Sequence, residues 1–145
     1  VLQSSEIDMT LFYRRLASWN RLTENSNLQE HFASAIYNPT DFKSSSVEPL
    51  SAWLKRYSLR IDECSLDADT REARMNQVNP LYVLRNYIAQ LAIDEADKGN
   101  NDRISETLEV LRNPYEEQSN KDEFAARRPE WARERAGCSM LSCSS

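Results

Sequence analysis

Two of the three cysteines stand close together near the carboxyl end, Cys138 and Cys143, within the stretch AGCSMLSCSS from Ala136 to Ser145. A thiol near a chain end is accessible and sweeps a volume, which suits exchange with another thiol or with a disulfide. A Cys138–Cys143 bond would close a small ring that a flexible tail accepts within the geometric limits on disulfides, and an inert exposed thiol is the bland alternative for Cys143. A zinc site wants four ligands at paired short spacings, and Cys-x4-Cys without a neighbouring histidine does not supply them. Cys64 lies on the apolar stripe of a helix and reads as a packed core thiol. An odd cysteine count does not describe the disulfide framework of a secreted protein.

Other chemistry is sparse. There is one histidine, His31, which excludes a His-rich metal site and leaves a Ser-His-Asp relay resting on that residue alone. His31 itself reads as a surface or boundary residue. A phosphate cradle needs several backbone N–H groups converging on one anion, usually from clustered glycines, whereas Gly99 and Gly137 are isolated. No catalytic, cofactor-binding or metal residue is therefore assigned, and no nucleotide loop can be built from these glycines. Arg127, Arg128, Arg133 and Arg135 alternate with Glu123, Glu130 and Glu134, as in a solvated, salt-bridged arm.

The elements that must position the thiols are helical. Asp8 is placed to cap a first helix and Ile7 to pack on Phe12 as a hydrophobic staple, with Leu11, Phe12, Leu16 and Trp19 on the apolar face. A second helix is expected over Ser26 to Tyr37, ended by Asn38-Pro39, and Phe42 to Val47 reads as Ser-rich loop. Leu50, Trp53, Leu54, Tyr57, Ile61 and Cys64 then line one face of a long helix. Asp69-Thr70-Arg71-Glu72 resembles the capping box of a short helix that stops at Asn79-Pro80. Asn79 and Pro80 read as the start of the next helix, with Leu81, Leu84, Ile88, Leu91 and Ala92 on its stripe and Lys98-Gly99 at its end. A last helix over Asp102 to Arg112 carries Ile104, Leu108 and Leu111 at core spacing. Beyond it, residues 113–145 show no period and read as an extended arm docked through isolated aromatics such as Trp131. The fold class is all-α, an irregular bundle of about five to six helices with a long non-regular C-terminal arm.

Composition agrees. With 145 residues there is enough chain for one core, and two glycines are too few for the tight turns of a β-sandwich or barrel. Eighteen basic against 23 acidic residues give a net charge of −5, which repels phosphate backbones and anionic lipid, so neither nucleic acid nor membrane is an expected partner. No apolar run approaches the roughly 20 residues needed to cross a bilayer and no signal-peptide pattern opens the chain, so a cytoplasmic setting is the expectation. A first residue of Val1 rather than methionine is read as the mark of a piece of something longer.

The stretches Asn79-Pro80-Leu81-Tyr82-Val83-Leu84-Arg85-Asn86-Tyr87, Leu111-Arg112-Asn113-Pro114-Tyr115 and Cys143-Ser144-Ser145 together resemble the C-terminal region of the selenoprotein O family. Glu6 to Ala17 (EIDMTLFYRRLA) and Ala125 to Trp131-Ala132 (AARRPEWA) extend the resemblance over nearly the whole chain. It implies a protein adenylyltransferase of kinase-like fold that binds ATP in an inverted orientation and transfers AMP to protein hydroxyls with a divalent metal, Mg or Mn. The nucleotide-binding lobes of that family precede this segment, so ATP and metal belong to the parent enzyme and none is bound here. The resemblance puts selenocysteine of animal relatives at the position of Cys143, and in some bacterial members it implies a disulfide tethering this tail to the catalytic body. Bacterial relatives imply the cytoplasm and eukaryotic ones mitochondria.

The resulting expectation is a helical C-terminal module over residues 1–112 and an arm over 113–145, with Cys143 and Cys138 as redox-regulatory residues. Its partners would be the catalytic lobes of the same polypeptide and the parent's protein substrates. Arg85 could pair with a carboxylate of those lobes, although helix-start chemistry already explains its neighbours. Parted from its body, such a helical set would expose an apolar patch that favours self-association. The competing reading is a stand-alone helical interaction module whose cysteine is incidental.

Overall fold

A computed structural model describes residue 2, residues 6–20, 27–39 and 42, and residues 44–138, with backbone only for 44–46. Among the described residues there are seven α-helices and one 3-10 turn, and the only strand-like feature is an isolated antiparallel bridge between Ile7 and Ile36. The helices are α1 (Met9–Ala17), α2 (Leu28–His31), α3 (Ser44–Asp62), α4 (Ala68–Val78), α5 (Asn86–Ala96), α6 (Asp102–Arg112) and α7 (Asp122–Ala125), and the 3-10 turn spans Glu130–Ala132. The all-α expectation holds. The chain divides into two compact units, Val1–Asn79 and Pro80–Ser145, a boundary different from the division at residue 112 read from the sequence.

In the first unit Asp8 caps α1 as expected. Its Oδ1 accepts from the Leu11 N–H at 3.0 Å and its Oδ2 from the Tyr37 hydroxyl at 2.9 Å, so a buried carboxylate is satisfied on both oxygens. Ile7 and Phe12 share the core with Leu16, Trp19, Phe32, Ile36, Leu50 and Leu54. Phe32 stacks on Phe12 and Trp19 at centroid separations of 4.9 and 5.6 Å, and the Trp19 indole N–H donates to Ser58 Oγ at 3.1 Å. Each such fully buried large apolar side chain contributes roughly 1.5–3 kcal/mol.

Helix α1 packs against α4, and Arg14 Nη1 donates to the carbonyls of Asn76 and Asn79, giving the carboxyl end of α4 a cationic cap.

Four local expectations are corrected in this unit. The second helix is a single turn, capped by Asn27, because Asp8 N donates to Ala35 O and Tyr37 N to Glu6 O; these bridge bonds claim the backbone that a longer helix would use. The Ser-rich segment is helical from Ser44, with Pro49 tolerated inside α3. The cap of α4 is Asp67, not Asp69: its carboxylate accepts from the Thr70 N–H at 2.9 Å and the Thr70 hydroxyl at 2.7 Å. Cys64 lies beyond the end of α3 and is exposed, its thiol directed at Arg60 O, so it is not a core residue.

In the second unit α5 and α6 pack side by side, and the described residues after α6 fold over them. Asn79-Pro80 does not start a helix. Asn79 closes α4, its side-chain amide donating to Met75 O, and α5 begins at Asn86. Between them Leu81 N and Tyr82 N both donate to Pro114 O, at 2.7 and 3.0 Å, so a carbonyl after α6 organises the segment before α5. Gly99, in the turn between α5 and α6, has φ +86°, the left-handed conformation read for it.

Candidate functional site

The second unit determines where the C-terminal thiols begin. Its core is Tyr82, Tyr87, Ile88, Val110, Phe124, Ala132 and Cys138, drawn from the segment before α5, from α5 and α6, and from the stretch after α6. That stretch is largely non-regular, as expected, and its described residues dock on the second core through these side chains. It folds back as α7 and the 3-10 turn, and the physical reason is that Phe124, Ala132 and Cys138 recur at loop spacings that no helical or strand period reveals, yet converge on one cluster.

Polar anchors hold it there. The Tyr87 hydroxyl reaches the carbonyls of Ala126 at 2.9 Å and Glu123 at 3.3 Å, and the Trp131 ring meets Tyr87 edge-on at 6.3 Å. Gln118 donates its backbone N–H to the Tyr82 hydroxyl and its side-chain amide to the carbonyls of Val110 and Asn113. Arg103 makes a two-pronged pair with Glu123, at 2.8 and 3.1 Å, and lies over the Phe124 ring, while Lys121 bonds Glu106. Those hydrogen bonds from Arg103 hold the Glu123 carboxyl below its ordinary range, and the Glu123 bonds raise Arg103 in return.

At the end of the described chain, Arg135 Nη2 bonds both oxygens of Asp94 on α5, at 2.8 and 2.7 Å. Asp94 also accepts from the Gln90 amide at 3.0 Å, and that hydrogen bond first, with Arg135 second, lowers its carboxyl from the ordinary value. Gly137 passes over Gln90 at φ +81°, so close that a Cβ there would lie 2.4 Å from Gln90 Oε1. Cys138 follows at 4% exposure, a free thiol inside the cluster.

The structure thus separates the residues read from the sequence. Cys138 is the buried pin of the C-terminal stretch, and Cys143 lies outside the described residues. Of the arginines read as a solvated arm, Arg135 is an anchor. His31 is half-buried, with Nε2 2.9 Å from Arg15 O and its ring edge-on to Trp19. Gln90 and Asp94 were not singled out in the sequence, and Tyr87 was read there only as a packing residue. The signal that could have found them is their i, i+3/i+4 spacing on the face of α5 turned to the C-terminal stretch.

Chemically this is an anchoring site. An open, polar cleft of about 540 Å³ runs beside it, lined by residues including Tyr82, Glu117, Gln118, Asn120 and Asp122. Among the described residues no group of three or more His, Cys, Asp or Glu is placed to hold a metal, and no helix is long and apolar enough to cross a membrane.

Residues 1–112 match the family model described as protein adenylyltransferase SelO. The whole chain is 51% identical to a protein nucleotidyltransferase YdiU of Tolumonas auensis, and 47% identical to one of Rhodopirellula baltica. A third, from Azoarcus sp., is 48% identical over 99% of the chain. The chain spans only 27–29% of the length of these relatives. With a family model covering residues 1–112 and close relatives covering the entire chain, it belongs to the SelO protein adenylyltransferase family.

Proposed function

We propose that this chain is the C-terminal helical part of a protein adenylyltransferase, with a structural and redox-regulatory role and without catalytic residues of its own. The parent reaction is AMP transfer from ATP to a Ser, Thr or Tyr hydroxyl. The hydroxyl oxygen forms a bond to the α-phosphorus, the bond to the bridging oxygen breaks, pyrophosphate leaves, and the hydroxyl proton passes to a base. ATP and a divalent ion, Mg or Mn, bind in the parent's other regions; the divalent ion would supply charge neutralisation on the phosphates.

The observation that carries this reading is the family match joined to the short span of the relatives that the chain covers. The redox part rests on the family resemblance at Cys143, which stands five residues after the buried thiol of Cys138 in the sequence. Oxidation would join the Cys143 thiol to a second thiol of the parent by exchange with a small-molecule disulfide. Two thiols lose two electrons and two protons, the small disulfide is reduced to two thiols, and the new bond restrains the tail.

The test uses the full-length polypeptide, ATP labelled at the α-phosphate, Mg or Mn, and a protein acceptor. Label transfer that is slowed by oxidation and restored by reductant is the expected result, with Cys143→Ser insensitive to both. An unchanged redox response in Cys143→Ser removes the cysteine from the mechanism, and absence of transfer under all conditions overturns the enzyme reading.

A further inference from the structure

The sulfur of Met75, on α4 in the first unit, receives two donors. The Tyr57 hydroxyl of α3 donates to it at 3.4 Å, and Arg71 Nη1, one helical turn earlier on α4, at 3.8 Å. Arg71 is buried; its Nη2 donates to Trp19 O, and its Nε has no partner among the described residues. No carboxylate of the described residues pairs with it. A guanidinium taken out of water ordinarily faces an anion or several oxygen acceptors, because its desolvation is costly. A thioether is a weak acceptor, so on the side of Met75 this charge is under-satisfied. Burial raises the Tyr57 hydroxyl above its ordinary value, with Arg71 opposing the rise, so the phenol keeps its proton and remains a donor at neutral pH.

We propose that Met75 is a methionine sulfoxide site: a hydroperoxide oxidises its sulfur in the folded protein, and the Arg71 guanidinium and the Tyr57 hydroxyl hold the new oxygen. A sulfur lone pair attacks one peroxide oxygen, the S–O bond forms as the O–O bond breaks, and sulfur gives up the two electrons that the peroxide gains. The proton on the transferred oxygen passes to the departing one, which leaves as water or an alcohol. Negative charge grows on that departing oxygen, and donors already in place stabilise it. The reaction is reversed by a dithiol, which becomes a disulfide while the sulfoxide oxygen leaves as water. An oxygen added to a packed methionine commonly disrupts its surroundings, having nothing to bond. Here the donors stand too far for an ordinary bond to an oxygen at the sulfur position, and an oxygen bonded to that sulfur and lying between them comes within range of both. The product would tie α3 to α4 more firmly than the thioether does.

The test is hydrogen peroxide added to the full-length polypeptide, followed by digestion and peptide mass spectrometry that reads Met75 and Met9 separately. Met9 stands 63% exposed and Met75 is partly buried against the core, so exposure alone makes Met9 the faster. With two donors assisting, Met75 is oxidised at least as fast as Met9. An oxygen held by both donors is a single epimer, so one of the two epimer-specific methionine sulfoxide reductases clears nearly all of the Met75 sulfoxide in the digest and the other nearly none. Tyr57→Phe keeps the ring that stacks on Trp53 and removes only the hydroxyl; it should slow Met75 roughly three- to tenfold, the worth of one hydrogen bond, with Met9 unchanged. Met75 left unmodified when Met9 is fully converted overturns the proposal, as do equal amounts of the two epimers. A faster Met75 in Tyr57→Phe means that the hydroxyl merely shields the sulfur, and overturns it too. The first two readouts need no substitution, and none depends on AMP transfer or on Cys143.

Discussion

Gly137→Ala is the sharpest perturbation of the C-terminal anchor. At φ +81° the backbone is in the left-handed region, which costs an L-residue roughly 1–2 kcal/mol that glycine does not incur. The new Cβ would also sit 2.4 Å from Gln90 Oε1. The end of that side chain can swing away, but doing so gives up its 3.0 Å bond to Asp94, about 0.5–1.5 kcal/mol. Together the substitution should weaken docking of the stretch around Cys138 by about 2 kcal/mol, or roughly thirtyfold in the population of the open form. Because Cys138 is buried, its thiol reacts from that open form, and its labelling rate should rise by the same factor. Site-resolved maleimide labelling keeps it distinct from the exposed Cys64. Gln90→Ala in the same chain removes the clash and leaves the backbone cost, so the double variant should be less open than the two single effects predict when added. An unchanged Cys138 rate in Gly137→Ala, or strict additivity in the double variant, would refute the reasoning.

Three further outcomes follow from the same contacts. Tyr87→Phe strands the Ala126 carbonyl that its hydroxyl reaches, and should lower stability by about 1–2 kcal/mol, read as a reduced urea midpoint with an unchanged slope. Asp8→Ala removes the cap of α1 and the acceptor of the Tyr37 hydroxyl, costing about 1–2 kcal/mol by the same measurement, whereas Asp8→Asn should recover most of it. Acid should loosen the second unit: Glu123 and Asp94 are held below their ordinary values of 4.5 and 3.8, so their contribution is complete above those values and is lost as pH falls through the lowered ones. The urea midpoint should stay level from neutral pH down to the ordinary carboxylate range and drop below it, and Glu123→Gln should flatten that drop.

Local chemistry was legible in the residue order wherever one segment contains the whole cause. The Asp8 cap, the left-handed Gly99, the span of α6 and the all-α class depend on neighbours a few positions apart, and the structure keeps each of them. The family resemblance was legible too, since it rests on short strings of residues. Contacts between distant segments were not. Asn79-Pro80 carries the signature of a helix start, but the Pro114 carbonyl, 33 residues after Leu81, takes the amide hydrogens of Leu81 and Tyr82 and delays α5 to Asn86. Likewise Ile104 and Leu108 stand exposed, while Leu111 packs on the core, because Glu123 and Phe124 claim the Arg103 side, and Cys138 is buried because Gly137 clears Gln90. Periodicity says which faces of a helix are apolar. Only tertiary packing decides which face is turned inward, because that depends on the summed claims of buried partners far away in the chain.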